Sequence, residues 1–192
     1  MSLSPLETVA VLLGIVNVAL VVLRSMWNYP FGIAMVTLYA VIFYQQRLYS
    51  DALLQIFFFV VQFYGWWAWG RARADAGEIR VELLDGRARL AWLAGIAVAT
   101  AGWGWLMHRY TDAAFPWWDA AVAMLSVAAQ ILQSRRKLES WWLWIATDLV
   151  AIPLYAVKGI GLTAGLYTVF LVLATWGAID WTRVRRRALV AA

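Results

Sequence analysis

The chain is a succession of apolar runs of membrane-crossing length, and nothing else in it narrows the possible folds so far. The runs lie near 5–23, 30–45, 50–69, 89–107, 116–133, 141–157 and 161–181. Each approaches the roughly 20 residues a helix needs to cross ~30 Å of hydrocarbon. In lipid the backbone amides must be satisfied within their own segment, so such runs fold as helices. With 64% hydrophobic residues and only 14% charged, the chain is too apolar for a soluble domain. The first run, Val9 to Leu23, has neither a basic leader nor a small-residue cleavage site and reads as a retained span. The expectation is one all-α integral membrane domain of seven transmembrane helices.

Charge placement supplies an orientation. Thirteen of the sixteen Lys and Arg fall on one side by loop parity: Arg24, the five Arg between 71 and 89, Arg135 to Lys137, and four between Arg183 and Arg187. Arg47, Arg109 and Lys158 fall on the other. Positive charge is retained in the cytoplasm, which places the N-terminus outside and the C-terminus inside. The basic pI of 9.8 then reports topology, and no nucleic-acid partner is implied.

Two stretches repeat. Leu38-Tyr39-Ala40-Val41 recurs as Leu154-Tyr155-Ala156-Val157, and the helix from Asp51 to Trp69 recurs from Thr163 to Trp181, with Gly65 and Gly177 in matching places. The spacing drops from 116 to 112 between the two matches, which places a four-residue contraction in the second copy's loop. The stretch from Gly70 to Arg89 is the only sustained polar segment; its mixed signs read as a solvated cytoplasmic connector. The expected plan is 3+1+3: a first three-helix repeat over 1–69, a connector and linking helix over 70–110, and a second repeat with a basic tail over 111–192. One linking helix inverts the chain once, so the repeats run parallel, as in some small transporters.

Polar residues within the spans mark inward faces, because lipid cannot satisfy them. Positions seven or eleven apart share a helix face. By that rule Gln55, Gln62, Trp66 and Trp69 align on the third span, Ser126, Gln130 and Gln133 on the fifth, and Trp141, Trp144, Asp148 and Tyr155 on the sixth. Asn17 stands alone in the first. Asn17, Gln62 and Asp148 lie near mid-span and could line one cavity with Trp66, Trp141 and Trp144. Amides there also serve as helix-to-helix hydrogen bonds, whereas a mid-membrane carboxylate costs about 2.5–3.5 kcal/mol and so marks function more strongly. Indole faces attract cations, so the pocket suits a flat cationic ring. Tryptophans near span ends, Trp117 among them, read as an interfacial belt.

Other classes lack their parts. Without Cys there is no disulfide, thiolate metal site or Cys nucleophile. The single His108 leaves no basis for a metal centre, and no cofactor is implied. An enzyme would need a nucleophile with its base, or an acid pair, and no second carboxylate shares the depth of Asp148. A retinal photoreceptor would need a mid-helix Lys. A symporter carrying protons on Asp148 stays open.

The strings Asn28-Tyr29-Pro30-Phe31-Gly32-Ile33, Leu48-Tyr49-Ser50-Asp51-Ala52-Leu53-Leu54-Gln55, Tyr64-Gly65-Trp66-Trp67-Ala68-Trp69 and Trp144-Ile145-Ala146-Thr147-Asp148, the last followed by Tyr155 and Lys158-Gly159, closely resemble the Pnu family of bacterial vitamin transporters. The resemblance spans essentially the whole chain. It implies a SWEET-like pair of three-helix bundles in the bacterial inner membrane, a central nucleoside site and facilitated diffusion of nicotinamide riboside with no coupling ion. It also implies functional coupling to a cytosolic kinase that traps the product, and homo-oligomerisation is plausible on the same ground. On these readings Asn17, Asn28, Gln55, Gln62, Trp66, Gln130, Trp141, Trp144, Asp148, Tyr155 and Tyr167 form the substrate site. Thiamine, also cationic, is the next candidate, and riboflavin and deoxynucleosides suit the same scaffold.

Overall fold

The computed structural model describes residues 5–45, 49–159 and 161–190. Seven helices make up these residues: α1 (Pro5–Val22), α2 (Asn28–Gln45), α3 (Tyr49–Ala76), α4 (Gly86–Tyr110), α5 (Pro116–Ser134), α6 (Glu139–Val157) and α7 (Gly161–Val190). Five of them, α1, α3, α4, α6 and α7, are long and apolar enough to cross a membrane. The other two, with 18 and 19 residues, match α1 and α6 in length but are less apolar. Arg47, counted on the sparsely charged side, lies outside the described residues.

Local chemistry sets the helix ends. Pro116 opens α5 at a position whose N–H would have no helical partner, and Pro30 sits in the first turn of α2 for the same reason. The Asp85 carboxylate caps α4 by accepting from the Ala88 amide at 2.7 Å. Gly77 (φ +74°) and Gly159 (φ +75°) end α3 and α6 in the left-handed conformation that costs glycine least. Pro153 lies inside α6 and removes one amide from its ladder.

Packing arranges six helices as a ring. Each of α1·α2, α2·α3, α3·α5, α5·α6, α6·α7 and α7·α1 is a contact pair, while among the described residues α4 packs on α5 and touches α6 through the Arg89–Glu139 ion pair. Exchanging α1 with α5, α2 with α6 and α3 with α7 turns this set of pairs into itself. The two junctions between the exchanged halves are α3·α5 and α7·α1.

Three expectations change. Helices α5, α6 and α7 begin at 116, 139 and 161 against 5, 28 and 49 for α1, α2 and α3, offsets of 111, 111 and 112. The described helix starts therefore repeat at a spacing of 111 or 112. The Leu154–Val157 tetrapeptide sits one turn further along α6 than its twin does along α2, and the loops expected to carry the contraction include residues 46–48 and 160, outside the described residues. Next, α3 runs to Ala76 and α7 to Val190, so residues 70–76 and Arg183 to Arg187 are helix rather than connector and tail. Finally, the remaining connector is not a solvated loop. Ile79 is buried, with Val81 and Leu83 packed beside it, against a core that includes Val22, Tyr29, Trp69, Trp141 and Trp181. Alternation of these three apolar residues with Glu78, Arg80, Glu82 is a strand-like pattern masked by the charges.

The connector is fastened to the α5–α6 turn. The Glu82 amide donates to the Arg136 carbonyl at 3.0 Å and the Leu138 amide donates to the Glu82 carbonyl at 2.9 Å, an isolated parallel bridge. The Glu82 carboxylate accepts from Arg136 (2.9 Å) and Lys137 (2.7 Å). Partial burial works to raise the Glu82 pKa, but the hydrogen bonds and charges of Lys137 and Arg136 outweigh it and hold the carboxyl below its ordinary range. Glu139 accepts from the Leu84 amide and from Arg89.

Candidate functional site

Two polar groups from different helices converge where α2 lacks a side chain. A Cβ on Gly32 would fall 2.5 Å from the Gln62 amide nitrogen and 2.8 Å from that of Asn17, so the bare backbone of α2 gives the α1 and α3 amides their present places. Asn17 and Gln62 are buried. Asn17 donates to the Asn28 carbonyl at 2.6 Å, and Asn28 donates to the Ser25 carbonyl at 2.6 Å. Asn28 thus holds the entry to α2 and presents Asn17 with its acceptor.

The other half contributes an indole and a carboxylate. Asp148, the one buried carboxylate among the described residues, lies at the middle of α6, next to the fully buried Thr147. One turn earlier, Trp144 donates its indole N–H to the side-chain carbonyl of Gln133 on α5. Aromatic rings connect toward the first half: Tyr155 stacks on Tyr167 at 5.2 Å, and Tyr167 meets Phe170 edge-on at 6.1 Å. Phe170 in turn faces Gly14, one turn from Asn17.

The remaining candidates stand elsewhere. Trp141 is 1% exposed, edge-on to Trp181 at 5.5 Å and pressed into the space left by Gly177; it belongs to the core below Trp144. Trp66 is 39% exposed and stacks on Tyr29, lining an outer cleft of about 580 Å³ with Phe63, Trp67 and Arg71. A second cleft of about 370 Å³ lies between α4 and α5. Gln55 and Gln130 are half-buried, Gln55 two turns along α3 from Gln62. Stripe reading selected polar residues and so passed over Gly32, the residue that brings two of them together. Gln133 stood on the α5 stripe but was not singled out, since its partner is set by the α5–α6 packing.

The buried polar groups are amides in the first half and a carboxylate in the second, with aromatic faces in both. They suit hydrogen bonding and stacking of a flat polar solute rather than bond cleavage. Among the described residues no group of three His, Cys, Asp or Glu could hold a metal.

Comparison with known proteins points the same way. The model of the nicotinamide mononucleotide transporter family matches residues 4–183. The nicotinamide riboside transporter PnuC of Escherichia coli is 30% identical over 209 residues, covering 96% of this chain and 87% of that protein. The riboflavin/roseoflavin transporter RibM of Streptomyces davaonensis is also 30% identical, over 94% of this chain and 86% of its own. The crystal structure of the vitamin B3 transporter PnuC superposes with a TM-score of 0.78 at 30% identity, covering 95% of this chain and 82% of that one. A match this complete, on a helical membrane scaffold, makes the chain a multi-pass protein of the bacterial cytoplasmic membrane and a member of the nicotinamide mononucleotide transporter family.

Proposed function

We propose that this transporter imports nicotinamide riboside by uncoupled facilitated diffusion. The observation that carries the reading is the presence of buried polar groups in both halves, Asn17 and Gln62 at Gly32 in one and Asp148 in the other. A pyridinium ring would stack on the Trp144 indole, and its carboxamide and ribose hydroxyls would bond to the amides and carboxylate. Tyr155 and Tyr167 would close the far side, with Gln55 and Gln130 at the margins.

The architecture proposed for this task is seven spans in a 3+1+3 arrangement of parallel, SWEET-like repeats, N-terminus outside. The exchange symmetry of the helix pairs and the common offset near 112 support it. In this plan the first unit spans α1–α3, α4 is the link, and the second unit spans α5–α7. Rocking of one unit on the other would expose the site alternately. With Asp148 the one buried carboxylate among the described residues, there is no second acid to build a proton relay. Net accumulation would then require a cytosolic kinase to consume the free ligand. Homo-oligomers would form through surfaces outside the ring.

RibM, at similar identity, favours riboflavin as the second substrate to test, with thiamine after it as the other cationic ring. In kinase-free liposomes, labelled nicotinamide riboside should equilibrate across the membrane, indifferent to imposed proton or sodium gradients. Uphill uptake driven by either gradient would replace the facilitator with a symporter. Thermal unfolding against the same ligand panel should show stabilisation of about 2.7 kcal/mol at a hundredfold excess over Kd for the true substrate alone.

A further inference from the structure

We propose that Gln133 is a positioning residue that sets the orientation of the Trp144 indole and ties it to closure of the α3·α5 junction. The proposal rests on the reading of Trp144 as a substrate contact.

Gln133 occupies the last turn of α5 and is buried. Both of its carbonyls are engaged by indoles, and the two indoles come from different halves of the ring. Its side-chain carbonyl accepts from Trp144 on α6. Its main-chain carbonyl accepts from Trp69 on α3 at 3.2 Å. That carbonyl also accepts from the Arg136 amide at 2.9 Å in the closing turn, and its second lone pair takes Trp69. The neighbouring turn is rigid: Arg135 and Arg136 amides fold back on Gln133 and Ile131, and Arg136 adopts φ 60°. One residue thus bridges the helix that closes the junction and the ring that faces the ligand.

An indole has one N–H, and that single bond decides its rotation about the ring's long axis. Trp144 is only half-buried and packs on the core by one side. Without an acceptor at Gln133 the ring retains contact but loses its fixed angle. Separation of Trp69 from α5 would shift the α5 terminus and carry the Gln133 side chain with it. Trp144 would then hold its substrate-facing angle only while this junction is closed.

The test has a ligand-free arm and a transport arm. Protein labelled with 5-fluorotryptophan is studied by ¹⁹F NMR in detergent, the Trp144 line being assigned from Trp144→Phe. Gln133→Leu should move or broaden that line, and Gln133→Glu, which keeps an acceptor oxygen, should leave it near its original place. In liposomes, Gln133→Leu should raise the half-saturation concentration for nicotinamide riboside about tenfold, the scale of one buried hydrogen bond, with maximal rate little changed. Gln133→Glu should restore most of it. In the Trp144→Phe background, Gln133→Leu should add less than twofold, because both changes remove the same bond. An unmoved Trp144 line in Gln133→Leu, or fully additive losses with Trp144→Phe, would overturn the proposal. A moved line in a protein whose unmodified form does not saturate with nicotinamide riboside would instead sink the substrate reading and leave the positioning role standing.

Discussion

The two junctions of the ring are built from the same parts and fastened to different degrees. At α3·α5, Trp69 donates to the Gln133 carbonyl, Tyr29 lies edge-on to Trp69 at 5.5 Å, and Gly65 leaves room for the Tyr29 ring. At α7·α1, Trp181 donates to the Val22 carbonyl at 3.1 Å, Trp141 lies edge-on to Trp181, and Gly177 leaves room for Trp141. Even the turns match: Arg24 (φ 54°) and Arg136 (φ 60°), 112 residues apart, both occupy left-handed backbone, and each reaches across to the facing helix. Arg24 pairs with the Asp180 carboxylate at 2.6 Å, and Arg136 donates to the Ala68 carbonyl at 3.3 Å. What differs is the connector. Glu82 engages Arg136 and Lys137 at the α3·α5 junction, while the α7·α1 junction has the single Arg24–Asp180 pair. The two closures share these contacts, and the segment between α3 and α4 adds ion pairs at one of them.

The comparison is most exposed at the glycines. A Cβ on Gly177 would lie 2.6 Å from three atoms of the Trp141 indole, a large ring with no room to retreat, whereas on Gly65 it would meet the edge of Tyr29 at 2.8 Å. Gly177→Ala should cost about 1–3 kcal/mol in thermal unfolding, as overpacking does, and Gly65→Ala less. The reverse order would mean that the α7·α1 junction is the more yielding core as well as the less fastened one.

Removing the indole donors comes next. Trp69→Phe and Trp181→Phe each delete one interhelical hydrogen bond to a buried carbonyl, and each should lower stability by about 0.5–1.5 kcal/mol. Equal losses would show the two junctions matched at this bond; a much smaller loss at Trp69 would show the connector holding α3·α5 without it.

Smaller still are the ionic contacts. Arg24 and Asp180 are partly exposed, so Asp180→Ala should cost no more than about 1 kcal/mol. Its sharper readout is amide exchange, which should rise at the ends of α1 and α7 and leave α3 and α5 unchanged. Glu82→Gln should do the opposite, raising exchange at residues 79–84. Protection confined to neither junction would remove the claim that each arginine serves its own.

The last prediction uses acid. Because the folded-state pKa of Glu82 is depressed, its contribution is present above the ordinary carboxylate value and is lost as pH falls through the lower folded value. Protection factors at the connector, which correct for the intrinsic fall of amide exchange with pH, should therefore stay flat from neutrality to about pH 4 and drop below it, with Glu82→Gln abolishing the step. A step near neutrality would point to a different group.

Much of this plan was readable beforehand because a membrane leaves few choices. Apolar run length placed all seven helices, with starts displaced most at Gly86, where Arg87 and Arg89 make the first turn of α4 look like connector, and by less at Asn28, a polar residue that packing buries. Asn17, Gln62 and Asp148 were legible as inward groups because lipid would leave them unsatisfied. Trp141 and Trp66 were not separable from Trp144 by face alone. Which indole enters the core depends on the glycine opposite it, and Gly177 lies 36 residues from Trp141 on another helix. The buried Ile79 was hidden because its alternation with charged residues on a three-residue scale looks like a solvated linker.

The offset of 112 carries one further meaning. A ring that maps onto itself under exchange of its halves has the surface relations of a homodimer, in which every contact is made twice by the same patch. In such a dimer each polar group at the centre would confront its own copy, and a buried carboxylate would face a second one. Here the partners by offset of Asn17, Gln62 and Asp148 are Ala129, Ala174 and Val36, all buried and all apolar. In a single chain each polar group exists once, so a site of the kind proposed would offer amides from one half and an acid from the other to a solute that has no symmetry of its own.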